Sequence, residues 1–405
     1  MPADRLNRIL AGHVTELGQS GTAKGAESVI KAVLPATSSH GPRYLLAGEG
    51  DRPFLKMNSN NYLGFALHPE VIAAEEQASA EFGVGPGAVR FISGSHRQHL
   101  ELEARLAAFH GRQASMIFSS AYATTIGVLV PLTTPETTII SDALNHNCII
   151  NAMRLSRPQE KKIYGHLDME ELQAALEEGA GKRAVVVTDG IFSMRGSSAP
   201  LSQIMDLAQT YDQNYPENAF VIVDDSHGVG AFGDTGRGTE EHEGCHADAL
   251  VGTLGKALGV NGGYVVGSAE LIAFLRESAA TYIYSNPITA GEAAAASKAL
   301  EILDSSEGLQ LLTHLRAMTE RFAKGLSDLG FETIPGSHPV TPLMVRETER
   351  TASLVKHLYN QGVLATGLNY PVVPKGDQSI RFQVSAEHTE ADIDEVLDVL
   401  ASFPA

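Results

Sequence analysis

Cysteine is nearly absent from this chain. Cys148 and Cys245 are the only two among 405 residues. That is too few for a disulfide framework, so a reducing, cytoplasmic setting is the expectation. Positive charge is also scarce: 30 Lys and Arg face 48 Asp and Glu, for a net charge of −18. A duplex or an anionic membrane repels such a surface, and no run of five like charges gathers the cations in one place. Nucleic acid is therefore set aside as a partner. Long apolar runs are missing too. A stretch such as "IGVLVPL" (126–132) is far too short to span a bilayer, so no membrane partner is expected. The opening "MPADRLNRIL" lacks the basic-then-apolar layout of a signal peptide. There is no internal repeat and no low-complexity tract.

What is present is ordinary for a soluble globular protein: 43% hydrophobic and 19% charged residues. At this length a single small core does not suffice, and a large domain plus a smaller one is expected. Residues 1–45 read as a helical arm and linker, 46–290 as the large domain and 291–405 as a small C-terminal α+β domain. In the large domain, apolar β-rich runs stand at 115–120, 137–141, 183–189, 219–225, 249–254 and 263–268. Helical segments such as 168–179 and 201–211 lie between several of them. That alternation predicts an α/β fold, a mostly parallel sheet covered on both faces. Toward the C-terminus, helices at 349–362 and 389–403 flank the short strand "SIRFQVS" (379–385).

The stretch "VDDSHGVGAFGDTGRG" (223–238) contains G-x-G-x-x-G. A dinucleotide fingerprint must join a strand directly to a helix, so that the pyrophosphate meets the helix N-terminus. Here a polar "DDSH" intervenes, and "DTGRGTEEHEG" follows with no apolar periodicity. The motif fails the context it requires. Asp224, at the end of the strand, and His227 carry more information, because strand C-termini in open α/β sheets face the ligand crevice. The plain reading of the same pair is a turn-capping carboxylate and a locally bonded histidine.

Thirty-two residues on, Lys256 sits among glycines in "GTLGKALG" (252–259). It reads either as a solvated loop lysine or as a desolvated amine able to form an imine with an aldehyde. A pyridoxal phosphate site needs such a lysine, a carboxylate for the pyridine nitrogen and a phosphate cradle. The run "SMIFSSAY" (115–122) offers the cradle at a helix start: Ser120, Ala121 and Tyr122 present backbone N–H groups there, or "SSAY" simply caps a helix. "HEGCH" (242–246) supplies three potential metal ligands with no clear fourth, so no metal site is assigned.

Seven segments occur in an order that resembles the α-oxoamine synthases: "SNNYLGFALHP", "SDALNHNCIINAMRL", "TDGIFSMRG", "VDDSHGVG", "GTLGKALG", "YPVVPKG" and "IRFQVSAEHT". The resemblance spans roughly residues 55–400. It implies fold type I of the pyridoxal phosphate enzymes, with a seven-stranded, mostly parallel sheet and a homodimer whose active sites are shared between subunits. Matched position by position, it implies that Lys256 forms the imine and Asp224 serves the pyridine nitrogen. His227 and Ser193 lie near the phenolic oxygen, and His146 stacks on the ring. Thr253 and the "SSAY" backbone hold the phosphate, which Ser285 reaches from the other subunit. Asn60 and Arg381 hold the substrate carboxylate.

The reaction implied is condensation of an amino acid with an acyl-CoA. Glycine and acetyl-CoA are the expected pair, as in the family branch with the most similar motifs. Val89 stands where a succinyl-using member has a threonine, and the sequence shows no obvious long apolar channel. Three departures lie near the cofactor or the acyl entrance: Arg195 replaces the acid of "FSMDG", the glycine loop 259–264 is one residue short, and many members carry an Asn at or near Thr125. A decarboxylating synthase for a longer acyl group, an aminotransferase, and a binding protein of the same fold are the alternatives.

Overall fold

A computed structural model describes residues 3–20, 23, 25–370 and 372–404. Met1, Pro2 and residues 21, 22 and 24 of the expected arm lie outside the described residues, as does Pro371 of "YPVVPKG". The large domain is built on seven strands: β1 (Ala114–Phe118), β2 (Thr137–Asp142), β3 (Glu160–Tyr164), β4 (Arg183–Asp189), β5 (Ala219–Asp224), β6 (Ala249–Thr253) and β7 (Gly263–Gly267). Their order is β1-β7-β6-β5-β4-β2-β3. Only β7 runs antiparallel to its neighbours. Successive side chains of a strand point to opposite faces. Val185 and Val187 accordingly enter one apolar cluster and Val186 the other. Burial on both faces is why these strands read as continuous apolar runs.

β3 is the exception. Its sequence "EKKIY" lies at the sheet edge, exposed at Lys161 and Ile163, and carries charge where the inner strands carry valine. Charge on an edge strand discourages pairing with another chain. It also hides the strand from a search for apolar runs.

The small domain holds an antiparallel sheet of β8 (Glu332–Thr333), β9 (Val340–Met344), β10 (Thr366–Leu368) and β11 (Ser379–Gln383), ordered β8-β9-β11-β10. Helix Ser306–Asp328 packs against helix Glu390–Ala401. A third sheet joins strands Ile30–Leu34, Arg43–Leu46 and Pro53–Lys56 to Val363–Leu364, so the N-terminal part of the chain is tied to the small domain. The expected arm contains the exposed helix Asp4–Gln19. Helix Ala290–Leu303 packs on Pro69–Phe82 and Arg97–Phe109. No helix among the described residues is long and apolar enough to cross a membrane.

The glycine-rich turn after β5 encloses a carboxylate of the chain itself. Asp225 is fully buried and accepts hydrogen bonds from the Thr239 N–H at 2.6 Å and the Thr239 hydroxyl at 2.7 Å. A Cβ on Gly228 would stand 2.1 Å from Asp225 Oδ1, and one on Gly238 2.0 Å from Oδ2. Gly238 also has a φ of +86°, a conformation other residues rarely adopt. These glycines are required by the approach of backbone to Asp225.

Candidate active site

Parallel strands bring their C-termini to one edge of the sheet, where ligand crevices form in open α/β folds. A cavity of about 180 Å³ lies there. Ala121 and Tyr122 follow β1, His146 follows β2, and Ser193 follows β4. Asp224 ends β5, and Thr253 and Lys256 come from the end of β6 and beyond. All of these, with His227, line the cavity.

Lys256 is half-buried at the cavity wall, and desolvation pulls its amine down to about 8, against the opposing pull of Asp224 and Asp189. A lysine near 8 supplies the neutral amine that imine formation and proton abstraction both need. Asp224 Oδ2 accepts from the Thr125 hydroxyl at 3.1 Å and faces the Cys148 thiol at 3.5 Å; Oδ1 accepts from the Ser226 N–H at 3.2 Å. The carboxylate is thereby fixed in orientation.

His146 caps helix Asn147–Leu155. Its Nδ1 accepts the Cys148 N–H at 3.3 Å and stands 3.0 Å from Cys148 Sγ. Partial desolvation lowers the pKa of the ring, although the residue keeps an exposed edge. With Nδ1 accepting, the ring hydrogen is on Nε2. His227 is held well below the usual histidine range by burial, so it is neutral. Its Nδ1 lies 2.8 Å from the Tyr62 hydroxyl, and its carbonyl accepts from His338 Nε2 at 2.8 Å.

The cradle has the form a phosphate needs. Ser120 caps helix Ala121–Leu132 through the Ala123 N–H, and the helix geometry leaves the Ala121 and Tyr122 N–H groups without an intrahelical acceptor. Gly263 lets β7 come close: a Cβ there would sit 2.3 Å from the Ala121 nitrogen. Thr253 Oγ1 is turned toward the same loop system, donating to the Gly262 carbonyl at 3.2 Å.

Ser120, Asn60, Arg381 and Ser285 do not line this cavity. Arg381 is nonetheless adjacent, its Nη1 donating to the Ser193 carbonyl at 3.2 Å, while its buried Nε has no partner. A buried guanidinium with an unmade hydrogen bond is a ready receptor for a carboxylate. Asn60 Oδ1 accepts from the Gln383 side chain, two residues along the strand from Arg381. Ser285 is half-buried and bonds only to the neighbouring Asn286 carbonyl, at 3.4 Å; Tyr284 beside it is 80% exposed.

Sequence reasoning missed Asp189, Cys148, Tyr62 and His338. Asp189 ends β4 in direct register with Asp224 of β5. It lines the cavity, accepts the His146 N–H at 3.1 Å on Oδ2, and leaves Oδ1 buried without a partner. Burial, reinforced by Asp224, raises its pKa well above the carboxylate range. The strand-end rule that selected Asp224 applies equally to Asp189. Tyr62 and His338 give no local signal, because their meeting with His227 is a product of the tertiary fold. A second cavity of about 500 Å³, with a largely apolar wall, adjoins the first and shares His146 and Ser193 with it. Its walls come from separate loops of both domains, which no single stretch of sequence displays.

A pocket at the strand C-termini of a seven-stranded sheet, with a desolvated lysine opposite a fixed aspartate, defines a class of cofactor-dependent transferase. The family model described as Aminotransferase class I and II matches residues 52–400. The 8-amino-7-oxononanoate synthase of Bacillus pumilus is 40% identical over 355 residues, 86% of this chain and 88% of that one. The human mitochondrial 2-amino-3-ketobutyrate coenzyme A ligase is 39% identical over 398 residues, 97% of this chain and 91% of that one. Among solved structures, serine palmitoyltransferase from S. paucimobilis with a bound PLP–myriocin aldimine superposes with a TM-score of 0.85 at 25% identity, covering 99% of this chain and 97% of that one. The chain belongs to the α-oxoamine synthase family within the class I and II aminotransferase fold.

Proposed function

We propose that this α-oxoamine synthase, a pyridoxal 5′-phosphate enzyme that condenses an amino acid with an acyl-CoA, uses glycine and a short acyl-CoA, acetyl-CoA first. The observation that carries the reading is the similarity to a 2-amino-3-ketobutyrate coenzyme A ligase along 97% of the chain. The residues around the cavity suit the cofactor: an amine of lowered pKa, an oriented carboxylate and a helix N-terminus offer partners for its aldehyde, ring nitrogen and phosphate, and the adjacent Arg381, with a free Nε, offers one for the substrate carboxylate.

Bound there, pyridoxal 5′-phosphate supplies an aldehyde for the substrate amine and an electron-drawing ring for the charge released at the α-carbon. Asp224 holds the proton on the ring nitrogen. Arg381 engages the amino-acid carboxylate through its free Nε and a neighbouring nitrogen. Lys256, whose lowered pKa makes the free amine accessible near neutral pH, accepts the α-proton. His146, with its hydrogen on Nε2, donates to the thioester carbonyl and stabilises the oxygen that becomes negative as the new C–C bond forms. Lys256→Ala abolishes turnover in this scheme.

A second subunit completes the site in this reading, Ser285 reaching the partner's phosphate. Val89, where a succinyl-specific enzyme needs a polar partner for a buried carboxylate, argues for an uncharged donor. The 500 Å³ cavity supports a second reading, a longer acyl group, as does the similarity to an 8-amino-7-oxononanoate synthase. Catalytic efficiency with glycine or alanine against acetyl-, propionyl-, pimeloyl- and palmitoyl-CoA decides between them. Apolar pockets discriminate by only about 1–3 kcal/mol per methylene, so some propionyl-CoA use accompanies an acetyl preference. A preference for pimeloyl- or palmitoyl-CoA overturns the glycine–acetyl assignment and leaves the family chemistry in place.

A further inference from the structure

The second cavity has a charged feature at its rim. Its charged lining residues are Arg195 and Asp377. Arg195 lies two residues beyond Ser193, where the similar family members carry an acid. Its Nη2 donates to Asp377 Oδ2, both residues lining the cavity wall. Asp377 does not depend on that bond alone: its Oδ1 also accepts from Arg346 Nη1 at 3.2 Å, and Arg346 is further held by Glu332. Lys375, exposed on the same segment, lies 5.4 Å from the Tyr370 ring. Arg195, Arg346 and Lys375 thus stand with Asp377 and Glu332 in one cluster, where cations outnumber acids in a chain whose net charge is −18.

The ion pair is a weak brace. Its side chains are 36% and 21% exposed, and pairs open to solvent contribute little to stability. It is well suited to exchange. Asp377 keeps Arg346 when Arg195 leaves, and Arg195 has a planar fork that binds two oxygens of a phosphate as readily as those of a carboxylate. The acyl donor of this family carries its reactive thioester at one end of a slender arm and phosphates at the other. The arm suits a largely apolar passage that begins at His146 and Ser193.

We infer that Arg195 binds a phosphate of the coenzyme A carrier at the mouth of the second cavity, with Asp377 as the internal anion that the phosphate displaces. This rests on the acyl-CoA reading of the site.

The test uses the holoenzyme and free coenzyme A as probe, titrated calorimetrically at low and high salt. Arg195→Gln should weaken coenzyme A binding about tenfold, the effect of one charge-assisted contact, and flatten its salt dependence. Asp377→Asn should tighten binding about threefold by removing the competitor. Arg195→Lys should recover part of the loss. In steady state the Arg195→Gln variant should raise KM for acyl-CoA and leave KM for the amino acid within about twofold. With an acylated pantetheine, which has no phosphate, variant and wild type should perform alike. A merely structural role would move the pantetheine and amino-acid constants as well, and that result overturns the inference. Equal coenzyme A affinity in wild type and Arg195→Gln overturns it while sparing the acyl-CoA reading. Failure of the wild type to bind coenzyme A at all removes both.

Discussion

The Thr125 hydroxyl donates to Asp224 Oδ2 at 3.1 Å, from the second turn of the cradle helix to the end of a central strand. In the proposed site, the helix whose N-terminus would hold the phosphate thus also orients Asp224, the carboxylate proposed to serve the ring nitrogen. The Ala121 carbonyl lies equally close, 3.1 Å from the same hydroxyl oxygen, and competes for its single hydrogen. Replacement by valine keeps the shape and removes the bond. Turnover should fall about tenfold, in line with loss of a hydrogen bond to a charged group. Thr125→Asn, the residue many family members carry, should retain most activity. Full activity in Thr125→Val would show that Asp224 needs no such support.

Asp224 and Asp225 should separate cleanly. Asp224→Asn removes the charge that keeps the ring protonated, and turnover should drop by several orders of magnitude with the fold intact. Asp225 faces the glycine turn and Thr239, so Asp225→Asn should act on stability. Burial pushes Asp225 up to about 7, far above the unfolded value of about 3.9. Between those two values the unfolded chain releases a proton that the folded chain keeps, so this group's contribution to stability is full below about pH 4 and declines as pH rises toward 7. Thermal melts of wild type should show that decline, and Asp225→Asn should lack it. An equal pH slope in both proteins would refute the assignment.

Gly263 is the closest point between the antiparallel strand and the cradle. Gly263→Ala places a methyl group against the backbone at Ala121 and Ser120, which cannot rotate away. Overpacking of this kind costs about 1–3 kcal/mol. Displacing the Ala121 N–H should also weaken cofactor binding, read as loss of the visible absorbance during dialysis. Cofactor retention and melting temperature equal to wild type would show that the loop yields.

Much of this was legible in the chain. β4 was bounded to the residue as 183–189 because it is a continuous apolar run between polar residues, and the helix 201–211 because its apolar residues recur at helical spacing. β3 escaped because its edge position makes it charged. Lys256, Asp224, His146 and His227 were readable from local context and motif resemblance. The buried Tyr62–His227–His338 contacts were not, because they join segments 165 and 111 residues apart. The 500 Å³ cavity was missed for the same reason.

Ser285 tests whether two subunits build one site. It lies away from the cavity in its own chain, next to the exposed Tyr284, with only a long bond to Asn286. In the shared-site reading its hydroxyl donates to the partner's phosphate. A heterodimer of Lys256→Ala and Ser285→Ala chains then carries both lesions in one site and leaves the other whole. Single-parent preparations should be inactive for Lys256→Ala and, with one hydrogen bond to a charged group lost, about tenfold reduced for Ser285→Ala. After subunit exchange in equal amounts, half the molecules are heterodimers, each with one intact site, so activity per chain should rise above that of either parent. If each site is built within one chain, every site carries one lesion whatever its partner, and the mixture can only average the parents. Activity at that average, with exchange verified by mass, would therefore exclude a shared site and return Ser285 to a surface role.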